Sequence, residues 1–98
     1  MTTRLRRVVL DVDKPIKEPS LFSLVDALQN VRGVEAVNAT VNEMDVDVMG
    51  MEVVIEGDGF NFADLEEAID RAGAVVHSVD QILTGDRMIE LPVMRKKL

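Results

Sequence analysis

The order in which apolar periodicity changes along the chain constrains its fold most: strand, helix, strand, strand, helix, strand, with few residues left for loops. From Leu5 to Asp13, Val8, Leu10 and Val12 fall on one face, and Arg7, Val9, Asp11 and Asp13 on the other. That strand ends at Lys14-Pro15. Beyond Pro19, with Ser20 as cap, Leu21, Leu24, Val25, Leu28 and Val31 recur at helical spacing, and Gly33 is expected to supply the left-handed stop. A long strand from Val34 sets Val37, Ala39 and Val41 against Asn38, Thr40 and Asn42. The region from Asp45 to Gly50 is expected to turn it back into a partner strand from Met51 to Gly57. Asp58-Gly59 and Asn61 announce a second helix with a stripe of Phe62, Leu65, Ile69 and Ala72, ended by Gly73. Val75 to Leu83 forms the closing strand.

These six elements predict an α+β, ferredoxin-like βαββαβ two-layer sandwich, a four-stranded antiparallel sheet with two helices on one face. Right-handed crossovers then give the strand order four, one, three, two, with the first and third strands central. Residues 1–98 are read as one domain, with a core over about residues 4–84 and a tail over 85–98. The tail carries the apolar run Met88-Ile89-Glu90-Leu91-Pro92-Val93-Met94, which needs cover. Pro92 confines any strand there to an edge. Such a tail points to self-association into a homo-oligomer.

Composition removes several function classes. With no cysteine, disulfides, thiolate metal sites and cysteine nucleophiles are excluded. A net charge of −7 weighs against a nucleic-acid partner, whose affinity comes from concentrated Lys and Arg. Basic residues do gather near the ends, in Arg4, Arg6 and Arg7 and in Arg95, Lys96 and Lys97, and are read as solvated termini. No apolar run approaches the roughly 20 residues that span a bilayer, and Met1-Thr2-Thr3-Arg4 leads into a strand without a signal-peptide core. The expectation is a cytoplasmic protein without a membrane partner.

The strand order places one group of side chains together. Asp11 and Asp13, at the end of the first strand, should approach Asn42, Glu52 and His77 at one end of the open sheet face. Hard oxygen ligands suit a divalent cation such as calcium or magnesium, and the histidine leaves room, less readily, for zinc or manganese. A face of carboxylates is also an ordinary way to stay soluble, and His77 alone is an ordinary structural residue. Glu43, Asp45 and Asp47 lack the glycine and closing glutamate of an EF-hand loop and are read as a solvated turn.

Other activities of this fold fail on missing parts. Copper carriage needs two cysteines after the first strand, where this chain has Lys14-Pro15-Ile16-Lys17-Glu18-Pro19. RNA recognition needs aromatic platforms on the central strands, but Phe22, Phe60 and Phe62 lie in or beside the helices, where core packing accounts for them. The first loop has no glycine with which to cradle a phosphate. Ser78 finds no triad, since His77 should point to the opposite sheet face. The balance is against an enzyme.

Val-Leu-Asp-Val-Asp-Lys-Pro from residue 9, the run from Val34 to Val46, Ile-Glu-Gly before Asn-Phe-Ala-Asp-Leu, and Val-Val-His-Ser-Val-Asp-Gln-Ile from Val75 together resemble the archaeal domain-of-unknown-function family 211. The similarity covers about residues 4–86. It implies a small archaeal cytoplasmic protein of ferredoxin-like fold that forms rings or other homo-oligomers and binds divalent cations. The expected function is a self-associating binding or regulatory module, with a cation or small ligand on the sheet face or between subunits. The alternatives are a metal-dependent enzyme using the same residues and a structural adaptor without a ligand.

Overall fold

The computed structural model describes residues 3–91. Six elements follow in the expected order: β1 (Leu5–Pro15), α1 (Leu21–Gln29), β2 (Val34–Met44), β3 (Val48–Phe60), α2 (Phe62–Arg71) and β4 (Val75–Thr84). The strands form one antiparallel sheet in the order β2-β3-β1-β4, with β1 and β3 central, an α+β ferredoxin-like arrangement. Alternation in β1 and β3 explains the layering. Val8, Leu10 and Val12 pair with Ile55, Val53 and Met51, and all six are wholly buried together with Leu24 and Leu28 of α1 and Leu65 and Ile69 of α2. Arg7, Val9, Asp11 and Asp13 are thereby turned to the face without helices. No helix among the described residues is long and apolar enough to cross a membrane.

Both helices begin on the expected caps. The Ser23 N–H donates to Ser20 Oγ at 3.1 Å, and the Ala63 N–H donates to Asn61 Oδ1 at 2.8 Å. At the end of α2, Gly73 at φ +82° donates its N–H to the Asp70 carbonyl while the Ala74 N–H reaches back to Ile69, a Schellman closure. The end of α1 differs from expectation. The helix stops at Gln29, and its cap Asn30 donates from its backbone N–H and its side-chain amide to the Asp26 carbonyl. Gly33, at φ +90°, lies in the following turn, where its carbonyl accepts from the Asp58 N–H. A backbone contact with β3, rather than helix termination, is what requires a glycine there.

Three further expectations change. Residues 45–47 alone make the hairpin turn, so Gly50 lies inside β3 and is buried. Lys14 belongs to β1, opposite Met49, and is 1% exposed, with its ammonium donating to the Pro15 carbonyl. Phe60 is buried at the end of β3 and Phe62 packs on the core, but Phe22 is 84% exposed on α1. Two residues before the buried Leu24 and six before Leu28, it lies on the opposite side of α1 from both and so points away from the sheet. The expectations for Pro92, Val93, Met94, Arg95, Lys96 and Lys97 concern residues outside the described ones.

Candidate functional site on the open sheet face

The ladder registers arrange the open face as four rows running from β2 to β4. The first holds Ala36, Glu56, Arg7 and Leu83, and the second Asn38, Val54, Val9 and Gln81. The third holds Thr40, Glu52, Asp11 and Ser78, and the fourth Glu43, Gly50, Asp13 and Val75. One end of the face carries arginines that are internally paired. Arg7 donates from Nε to Glu56 at 2.6 Å and from Nη1 to Glu90 at 2.8 Å, and its side chain is 19% exposed. The hydrogen bond it donates holds the Glu90 carboxyl below the usual carboxylate range. Arg4 binds Asp58 and Asp86, and Arg6 donates to the carbonyls of Gly57, Gly85 and Asp86. These arginines are therefore tied to carboxylates and backbone, not merely solvated, and they hold residues 85–90 to the sheet.

The five sequence-predicted residues occupy the other end: Asp11 and Glu52 in the third row, Asp13 in the fourth, and Asn42 and His77 at register shifts between those rows. Asp11 and Glu52 stand directly opposite each other on β1 and β3, like charges in a cross-strand pair. Neither has a basic partner within ion-pair distance among the described residues. In the next row Asp13 meets both flanks. Its Oδ2 lies 3.8 Å from His77 Nδ1. Toward β3 it faces Gly50, where a Cβ would stand 3.4 Å from Asp13 Oδ1 and 3.7 Å from Asn42 Oδ1. Two side-chain oxygens from different strands thus border the space above one glycine.

Two bulges bring the outer residues in. Between Val41 and Glu43 the β2–β3 register gains a residue, Asn42, and between Val76 and Ser78 the β1–β4 register gains His77. An extra residue redirects its strand locally. His77 consequently lies beside Asp13 while Ser78 faces Asp11, so the two do not take opposite faces as simple alternation predicts. Ser78 Oγ donates to Asp80 at 2.8 Å. The convergence is narrower than a five-ligand site. Asp13 and Asn42 border Gly50, His77 meets Asp13 from the opposite flank, Asp11 and Glu52 form a separate pair one row away, and no three Asp, Glu or His side chains among the described residues gather closely enough to share an ion.

The sequence pattern puts Gly50 and Glu43 in the hairpin turn, whereas both lie within strands and border the candidate site. Glu43 joins the row with its Cβ 3.5 Å from the position a Gly50 Cβ would occupy. A glycine within a strand pattern is the available signal, because it marks a bulge or a close approach. At this end the face can hold a small cation or a hydrogen-bonding ligand. It has carboxylates to accept, an imidazole to ligate and no enclosing wall to exclude water.

Comparison with known proteins gives one family. The sequence pattern of DUF211, described as uncharacterised ArCR, matches residues 6–97. The match runs through the tail, past the end near residue 86 expected from sequence. The chain is also 35% identical over 86 residues to the uncharacterised protein MJ0319 of Methanocaldococcus jannaschii, covering 88% of each.

Proposed function

The chain belongs to the DUF211 family, and on that premise we propose that it is a self-associating binding module whose open sheet face takes a divalent cation between Asp13 and Asn42. One observation carries the reading: Asp13 Oδ1 and Asn42 Oδ1 border the space left by the absent side chain of Gly50. The carboxylates of Asp11 and Glu52, which have no basic partner among the described residues, support it, since a nearby cation relieves their repulsion. Magnesium is commonly held by one or two carboxylates while keeping several waters, and calcium accepts carboxylate, amide and water oxygens. Both suit an open, partly hydrated site. His77 supplies a nitrogen that manganese or zinc would use.

Self-association is supported by apolar side chains at both edges of the sheet. Val41, Met44, Val46 and Val48 are exposed around the β2–β3 hairpin, and Val75, Val79 and Ile82 along β4. Such residues on edge strands leave apolar area and unpaired backbone for another copy to cover. A neighbouring copy would also supply the wall that the open face lacks.

Native mass spectrometry with and without a chelator tests both parts. The expected spectrum is a defined oligomer whose bound-ion mass disappears with chelator, and an Asp13→Asn chain that retains assembly but loses the ion. Ion binding unchanged by Asp13→Asn overturns the site, and a monomer at all concentrations overturns the self-association.

A further inference from the structure

We propose that the C-terminal segment beyond Leu91 docks in a cleft between α2 and β4 of a second copy. This rests on the self-association proposed above and names the segment that makes it. The cleft is shallow and open to solvent, with a volume of about 500 Å³, at the sheet edge. Its floor is Ile69, Ala74 and Val76, and its rim is the carboxylates Glu66, Glu67 and Asp70, all exposed. Among the described residues none of the three forms an ion pair across the cleft, and Glu67 pairs with Arg71 on its own helix. The site therefore offers a shallow apolar floor beneath three carboxylates that no other described element neutralises.

The chain carries one segment of matching chemistry. Residues 91–98 read Leu-Pro-Val-Met-Arg-Lys-Lys-Leu, apolar at Leu91, Val93 and Met94 and then basic at Arg95, Lys96 and Lys97. Docked apolar end down, the segment buries its hydrophobic residues on the floor and sets three cations against three carboxylates. Partial desolvation of such pairs strengthens them, and the charge pattern fixes the direction of the peptide.

Chain length makes the recipient a second copy. Glu90 is held on Arg7, whereas the cleft opens beside Val75, which stands opposite Asp13 six residues along β1. At ~3.3 Å per residue that separation is about 20 Å along the open face, and the cleft lies on the helix side. Val93 and Met94, only two and three residues beyond Leu91, reach no more than ~11 Å from it. Within one copy the backbone falls about 9 Å short of the floor, so arrival would need the Glu90–Arg7 pair extended toward the cleft, whereas a second copy receives the segment without that stretch.

Sedimentation velocity on the full chain, on a Glu66→Lys, Glu67→Lys, Asp70→Lys variant and on a chain ending at Leu91 tests the docking. Each altered chain is expected to associate at least tenfold more weakly than the parent. Mixed, the two should form a one-to-one pair, because the first still donates a tail and the second still offers a cleft. A chain with the three rim lysines and Arg95→Glu, Lys96→Glu and Lys97→Glu should regain association, which excludes misfolding as the cause of loss. Parent-like association of either altered chain, or no pairing on mixing, overturns the docking. An oligomer that survives all these changes overturns the docking alone, whereas a monomeric parent also overturns the self-association on which it rests.

Discussion

Gly57 on β3 lies against Gly33 so closely that a Cβ built on Gly57 would stand 2.0 Å from the Gly33 carbonyl oxygen. The next residue, Asp58, donates its N–H to that same oxygen at 2.9 Å, so the turn after α1 is laced to β3 by backbone alone. Gly57→Ala is expected to destabilise the fold by about 3 kcal/mol, the upper end of what overpacking costs. In a domain of this size the thermal midpoint should then fall by roughly 12 °C or more. A midpoint within a few degrees of the parent would show that the turn moves freely, contrary to this packing.

Gly50 offers the opposite experiment. A methyl group there meets Asp13 Oδ1 at 3.4 Å and Asn42 Oδ1 at 3.7 Å, ordinary contact distances that cost the fold little. Gly50→Ala should leave stability unchanged or raise it by about 0.5 kcal/mol, since glycine weakens a strand interior. Divalent-cation affinity, read by calorimetric titration, should drop at least tenfold because the methyl occupies the space between the two oxygens. Unaltered affinity would place any bound ion elsewhere.

Glu90 reports on the attachment of residues 85–91. The hydrogen bond from Arg7 lowers its folded-state pKa, so the carboxylate's favourable contribution is complete above the ordinary glutamate value of about 4.3. That contribution is lost as pH falls through the lowered folded value. An NMR titration should therefore give Glu90 a midpoint below the ordinary value, and Arg7→Gln should return it toward that value. Hydrogen-exchange protection over residues 85–91, taken relative to the intrinsic rate at each pH, should fall at acid pH and in Arg7→Gln at neutral pH. A Glu90 midpoint unaffected by the Arg7 change would remove this contact from solution.

Lys14 is a buried cation with one described hydrogen-bond acceptor, the carbonyl of the exposed Pro15. Lys14→Met keeps the length of the stem and removes the cost of burying a charge, so stability should hold or rise by about 1 kcal/mol. Lys14→Ala instead leaves a void beside Met49 and should lose about 2 kcal/mol or more. Urea denaturation of both variants separates the two terms. A large loss in Lys14→Met would mean that the ammonium itself holds this end of the core.

Alternation of Val8, Leu10 and Val12, the caps Ser20 and Asn61, and the Gly73 stop were legible in sequence because each acts over a few residues. With right-handed crossovers they yield the strand order and the end of the face on which Asp11, Asp13, Asn42, Glu52 and His77 lie. Local patterns therefore determined the fold and the neighbourhood of the site. Three things were decided only in the tertiary structure: the bulges at Asn42 and His77, the gap over Gly50 and the role of Gly33 beneath β3. Each depends on a partner strand or turn distant in sequence, and one extra residue in a register changes which side chains meet while leaving the local hydrophobic period almost untouched.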